Sequence, residues 1–101
     1  MTAFKLEICF EDTGKKGRYF AEVARERVLL IFSHEADGVI STDHTFVPRA
    51  LEGQGIARAL VAHAVEDART KGWKIRPICS YVVARFNEHP EWADVLAPEA
   101  P

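Results

Sequence analysis

The chain is poor in the features that announce the commonest functional classes. Cysteine occurs twice in 101 residues, as Cys9 and Cys79. There is no Cys-x-x-Cys and no His-Glu-x-x-His, so no ready metal set is present and none is expected. With so few thiols and no charged-then-apolar leader after Met1, two free cysteines in a cytoplasmic protein are expected. No apolar run is long enough to cross a bilayer, so no membrane partner is expected. Charge of one sign is also missing. The formal net charge is −2, with acids and bases interspersed. No lysine or arginine block supplies the footprint of a nucleic-acid binder, and no nucleic acid is expected. What remains is one small domain, about half apolar, with enough aromatics for one two-layer core.

Periodicity divides the chain in two. Phe4, Leu6, Ile8 and Phe10 alternate with polar residues, the period of a half-buried strand. Cys9 then falls on the opposite face, a structural position. Asp12–Gly17 reads as a turn, Arg18–Ala24 as a second strand, and Arg25-Glu26-Arg27 as a hairpin turn. Val28–Phe32 is a continuous apolar run, the pattern of a central strand covered on both faces. Asp37-Gly38 is a hairpin signal, and Val39–Val47 is a fourth strand. From Ala57 the spacing becomes helical, with Leu60, Val61, Ala64, Val65 and Ala68 on one stripe and Gly72 as terminator. Trp73–Ile78 reads as a fifth strand and Ser80–Glu88 as a second helix that His89-Pro90 ends. Glu91–Leu96 adds a short helical turn, and Ala97–Pro101 is a loose tail. Trp73, Phe86 and Trp92 read as lids on the core. The order β-β-β-β-α-β-α gives an α/β (α+β) domain. Its mixed five-stranded sheet is mostly antiparallel, with strands four and five parallel because a helix crosses between them.

The junction of the two halves carries the chemistry. An extended segment ends at Val47-Pro48, and Gly53-Gln54-Gly55-Ile56-Ala57-Arg58 opens the helix. The first amides of a helix have no partner inside it, the dipole is positive there, and glycine lets an anion approach. A dinucleotide fingerprint fails at Arg58, where a small residue is needed, and a Walker loop fails for want of Gly-Lys-Ser/Thr. The glycines can equally serve only a tight turn into the helix. A second candidate is Cys79, between the fifth strand and a helix N-terminus, where a thiolate is favoured. The alternative for it is a small hydrophobe filling a gap. His44 can act as a base or sit hydrogen-bonded in the sheet. Tyr81 can donate a proton or keep a wet hydroxyl. His34 reads as solvated in a turn, and His89 as the fastening of a helix end.

Val47-Pro48, the Gly53-Gln54-Gly55 loop and the helix behind it resemble the acetyl-CoA-binding motif of GNAT-type N-acetyltransferases. His44-Thr45, Arg76-Pro77-Ile78-Cys79-Ser80-Tyr81 and His89-Pro90-Glu91-Trp92 extend the resemblance to a subfamily of about a hundred residues. Four ordered motifs across nearly the whole chain make it specific. The resemblance implies a GNAT-like fold whose fourth and fifth strands splay around acetyl-CoA as co-substrate. Val47 would pair with the pantetheine arm. Backbone amides of Gly53, Gln54, Gly55, Ile56, Ala57 and Arg58 would hold the pyrophosphate. Cys79, His44 and Tyr81 would be the candidates for catalysis, on an unidentified amine acceptor. Two departures stand out. Glu52 occupies the place where the family's loop carries Arg or Gln, and is expected to point away. Phe86 is the nearest aromatic to the usual tyrosine acid. The implied function is an N-acyltransferase, monomeric or weakly dimeric; a non-catalytic acyl-CoA-binding or interaction module is the alternative.

Overall fold

The structure is a computed structural model and describes residues 6–98. Phe4 and Lys5, at the start of the expected first strand, and Glu99–Pro101 of the expected tail lie outside them. Five strands form one sheet in the order β1 (Cys9–Asp12), β2 (Lys16–Val23), β3 (Glu26–Ala36), β4 (Val39–Phe46), β5 (Lys74–Pro77). All neighbours are antiparallel except β4 and β5, which α1 (Ile56–Lys71) separates and which run parallel. Helix α2 (Ser80–Glu88) follows, then a short 3-10 helix over Pro90–Val95.

One face of the sheet is covered. Leu60, Val61, Ala64, Val65 and Ala68 of α1 meet Tyr19, Leu30, Phe32, Ile40 and Ile75, joined by Val82 and Phe86 of α2. The helical stripe is therefore where the spacing predicts it, and Gly72 closes α1 at φ 74° with its N–H on Ala68 and Arg69 carbonyls. Trp92 caps the assembly edge-on to Phe86, and His89 stacks on Trp92 while its Nδ1 meets Glu91.

The other face is open, which corrects the reading of β3. Val28, Leu30 and Phe32 are buried, but Leu29 and Ile31 are only half-buried. Register puts Phe20 and Phe46 across from Leu29 on that same face. Both helices pack on the opposite side, so nothing in the described chain covers it. Three smaller corrections concern ends. The β2–β3 hairpin turns at Ala24-Arg25, both at positive φ, not over Arg25–Arg27. His34 lies within β3, its Nε2 2.9 Å from the Asp12 carboxylate, with its ring edge-on to Trp73. At the far end Ala97 is buried and its N–H meets the Ile75 carbonyl at 2.7 Å, so the tail is docked at its start.

The feature that shapes the site is in β4. Pairing with β5 runs from Val39–Lys74 to Thr42–Pro77 and stops there. Pro77 has no N–H to extend the ladder. The Ile78 and Cys79 amides both turn back to the Thr42 carbonyl, at 3.2 and 2.9 Å, and the chain enters α2. β4 continues to Phe46 without β5 beside it. A bulge falls at the same place: Ile31 pairs with His44 but Phe32 with Thr42, so Asp43 is the extra residue. Asp43 is fastened by Ser33 and Ser41 hydroxyls at 2.6 and 2.9 Å.

Candidate functional site

Where β4 and β5 part, a cavity of about 590 Å³ opens, a size suited to a ligand. Thr45 and Val47 from the end of β4 form one side, Tyr81 and Arg85 of α2 face them, and the loop before α1 forms the floor. The floor is open backbone. Gly53 and Gly55 stand at φ 83° and 81°, and no atom lies within 4 Å of where a Cβ would sit on either. The glycines are therefore not packed against anything. They hold a left-handed backbone and leave the space ahead open. The first amide of α1 that finds an intrahelical carbonyl is Ala59, on Gly55. The amides from Gly53 to Arg58 have no acceptor among the described residues. Unpaired N–H groups at the positive end of a sixteen-residue helix favour phosphate.

Placement of the expected site residues is uneven. Val47, Gly53, Gly55, Ile56, Ala57, Arg58 and Tyr81 border the cavity; Gln54 does not. Glu52 also borders it. Thr45 and Arg85, which the sequence reading did not single out, are part of the wall. Thr45 belongs to the His44-Thr45 segment that carries the resemblance, without a role of its own there, while Arg85 carries no motif and only its place on the wall marks it.

Cys79 lies just behind that wall. It is the residue that precedes α2, partly buried, with Sγ 3.7 Å from Thr45 Oγ1. Burial pushes the thiol up, but the Thr45 hydroxyl and the nearby Val82 and Tyr81 amides, all able to donate to a thiolate, outweigh it, and the net shift is down. No side-chain capping bond closes on those amides, so they stay available to a negative sulfur. His44 is elsewhere. The bulge turns it to the open face opposite Ile31, where it is exposed and does not border the cavity. His44 and Cys79 are thus not brought together on one wall. Cys9 and Phe10 point to opposite faces, as the alternation predicts, and Cys9 is exposed and unpaired. Among the described residues no cluster of three or more His, Cys, Asp or Glu can hold a metal ion, and no helix is long and apolar enough to cross a membrane.

Comparison with known proteins agrees with this geometry. A family profile described as GCN5-related N-acetyl-transferase matches residues 18–95, from β2 through the last 3-10 helix. The fold is similar to the solution structure of a GCN5-like candidate N-acetyltransferase from Staphylococcus aureus. The TM-score is 0.68 at 25% identity, over 94% of this chain and 91% of the other. No curated protein matches the sequence.

Proposed function

We propose, given that the chain belongs to the GCN5-related N-acetyl-transferase family, that the cavity between β4 and α2 binds acetyl-CoA and that the protein transfers the acetyl group to an amine. The observation that carries the reading is the row of unpaired amides from Gly53 to Arg58, in a cavity-lining loop whose two glycines have open space beside them. They suit the pyrophosphate, and Arg58 adds a cation. Val47, just past the last residue of β4, has the position from which an extended chain offers backbone groups to a pantetheine arm. The coenzyme supplies an activated acetyl thioester.

The chain's own residues supply the rest. Cys79, lowered in pKa, is the nucleophile of a two-step route. Its thiolate forms a bond to the acetyl carbon, the carbon–sulfur bond to the coenzyme breaks, and the coenzyme leaves as thiolate and takes a proton. The amine then attacks acetyl-Cys79, loses a proton, and returns the thiolate. Tyr81 stands at the cavity wall as the second residue of α2, where its hydroxyl can donate to a departing thiolate. His44, on the open face, is a base for an acceptor that arrives from that side, not for a group inside the cavity.

A second reading has one observation behind it. The β1–β2 connection is a tight turn held by Thr13 on Lys16, with no helix to shape an acceptor pocket. A non-catalytic acyl-CoA-binding module would have that form. Incubation with acetyl-CoA and peptide mass spectrometry decides between them. The proposal expects an acetyl group on Cys79 that an added amine discharges. Binding without an adduct, transfer or hydrolysis supports the module.

A further inference from the structure

The cavity wall carries an arrangement that acetyl transfer does not itself require. Arg58 from α1 and Arg85 from α2 both border the cavity. Glu88 stands between them. One carboxylate oxygen accepts from Arg58 Nη1 at 3.3 Å, the other from Arg85 Nη2 at 2.9 Å. A single carboxylate bridges two guanidiniums from two helices.

Arg85 is held in a way that stability does not explain. Its guanidinium lies 4.7 Å over the Tyr81 ring, and its side chain is 14% exposed. Its Nε is buried with no acceptor among the described residues. Burying a donor without a partner is unfavourable, and such groups gather where a ligand completes them. Glu88 is the opposite. Its side chain is 46% exposed, and an ion pair that wet is weak and easily exchanged.

We infer that Arg58 and Arg85 form a two-guanidinium clamp for a phosphate of the coenzyme, and that the Glu88 carboxylate is its resting occupant, displaced when the coenzyme binds. The inference rests on the cavity being the coenzyme site. Guanidinium forks match phosphate oxygens as well as carboxylate oxygens, and a phosphate group brings more negative charge and more acceptors. Released, Glu88 is at the last residue of α2 and can turn into water. Glu88 therefore sets the coenzyme affinity by competition, below what the amide row and two arginines alone would give.

Calorimetry with coenzyme A tests this on four variants. Glu88→Gln removes the competing charge and is expected to bind about three- to tenfold tighter. Arg85→Gln is expected to bind about tenfold weaker, and Arg85→Lys to fall between, because it keeps charge and loses the fork. Glu52→Gln removes an equal charge from the same cavity without touching either arginine. The clamp requires the Glu88→Gln gain to exceed the Glu52→Gln gain several-fold. Thermal melts check that each variant is folded, and Glu88→Gln, at an exposed position, keeps the question open even if Arg85→Gln does not fold. Unchanged or weaker binding by Glu88→Gln, or equal gains from the two glutamine variants, overturns the clamp while wild-type binding leaves the coenzyme site standing. Absence of binding by the wild-type protein overturns both.

Discussion

Cys79 Sγ lies 3.7 Å from Thr45 Oγ1, a contact that joins the start of α2 to the one strand that runs on past the end of β5. It spans the mouth of the gap between β4 and β5. Thr45 borders the cavity, so whatever fills the cavity reaches the thiol's partner. The thiol's ionisation and the ligand site are therefore linked through one hydroxyl.

The thiol is expected to react as a low-pKa cysteine. In a Cys9→Ser background, the pH profile of alkylation should have its midpoint below the ordinary thiol value of about 8.5. Burial opposes this, and the bonds from Thr45 and the α2 amides prevail. Thr45→Val removes the side-chain bond and keeps the shape, so the midpoint should move up. A midpoint at or above the ordinary value, or no change in Thr45→Val, contradicts the assignment.

A second expectation concerns the packing of the C-terminal half of α1 on β2. Tyr19 is buried, and its hydroxyl donates to Asp67 Oδ2 at 2.7 Å; Lys71 Nζ meets the same oxygen at 2.5 Å. Burial alone would raise the Asp67 carboxyl, but Lys71 and Tyr19 outweigh it and hold it below its ordinary value. Asp67 thus contributes stability that is present above the unfolded carboxyl pKa of about 3.9 and lost as pH falls through the lower folded value. Tyr19→Phe should cost about 1–2 kcal/mol near neutral pH. The gap to wild type should narrow at acid pH, as the carboxyl is neutralised. Urea unfolding at the two pH values measures it, and an equal gap at both contradicts the charge-assisted bond.

The β2–β3 turn offers a stabilising change. Ala24 and Arg25 sit at φ 51° and 68°, between the paired Val23 and Glu26. Two consecutive residues at positive φ make a primed two-residue turn, for which Asn-Gly is the favoured pair. Replacing Ala24-Arg25 by Asn-Gly should raise stability by about 1 kcal/mol, read as a higher melting temperature. A lower melting temperature would show that Arg25 makes an interaction worth more than the strain.

Much of this fold was legible because its signals are local. The period of α1, the Gly72 stop, Asp37-Gly38 and the parallel pairing forced by a helical crossover depend on neighbours in sequence. The open face was not. Val28–Phe32 is apolar throughout, and such a run does not say whether a second layer exists; the answer lies in both helices packing on the same side. The open, left-handed glycine loop at the start of α1 was legible for the same local reason, while Arg85 on the cavity wall was not. Nothing in Tyr81–Glu88 marks it, and its role arises only when α2 folds beside the start of α1. His44 shows the limit of strand alternation, since one extra residue at Asp43 reverses the face of everything that follows.

The central claim is that the amides between Gly53 and Arg58 hold the coenzyme. Calorimetric titration of acetyl-CoA into wild-type protein and Gly55→Asp tests it most directly. Gly55 has open space ahead of it, so aspartate meets no clash and brings only backbone strain and a negative charge. Saturable binding by the wild type, abolished in a Gly55→Asp protein that still melts cooperatively, is the predicted result. Equal affinity in the two proteins, or no heat from the wild type at millimolar coenzyme, would contradict it.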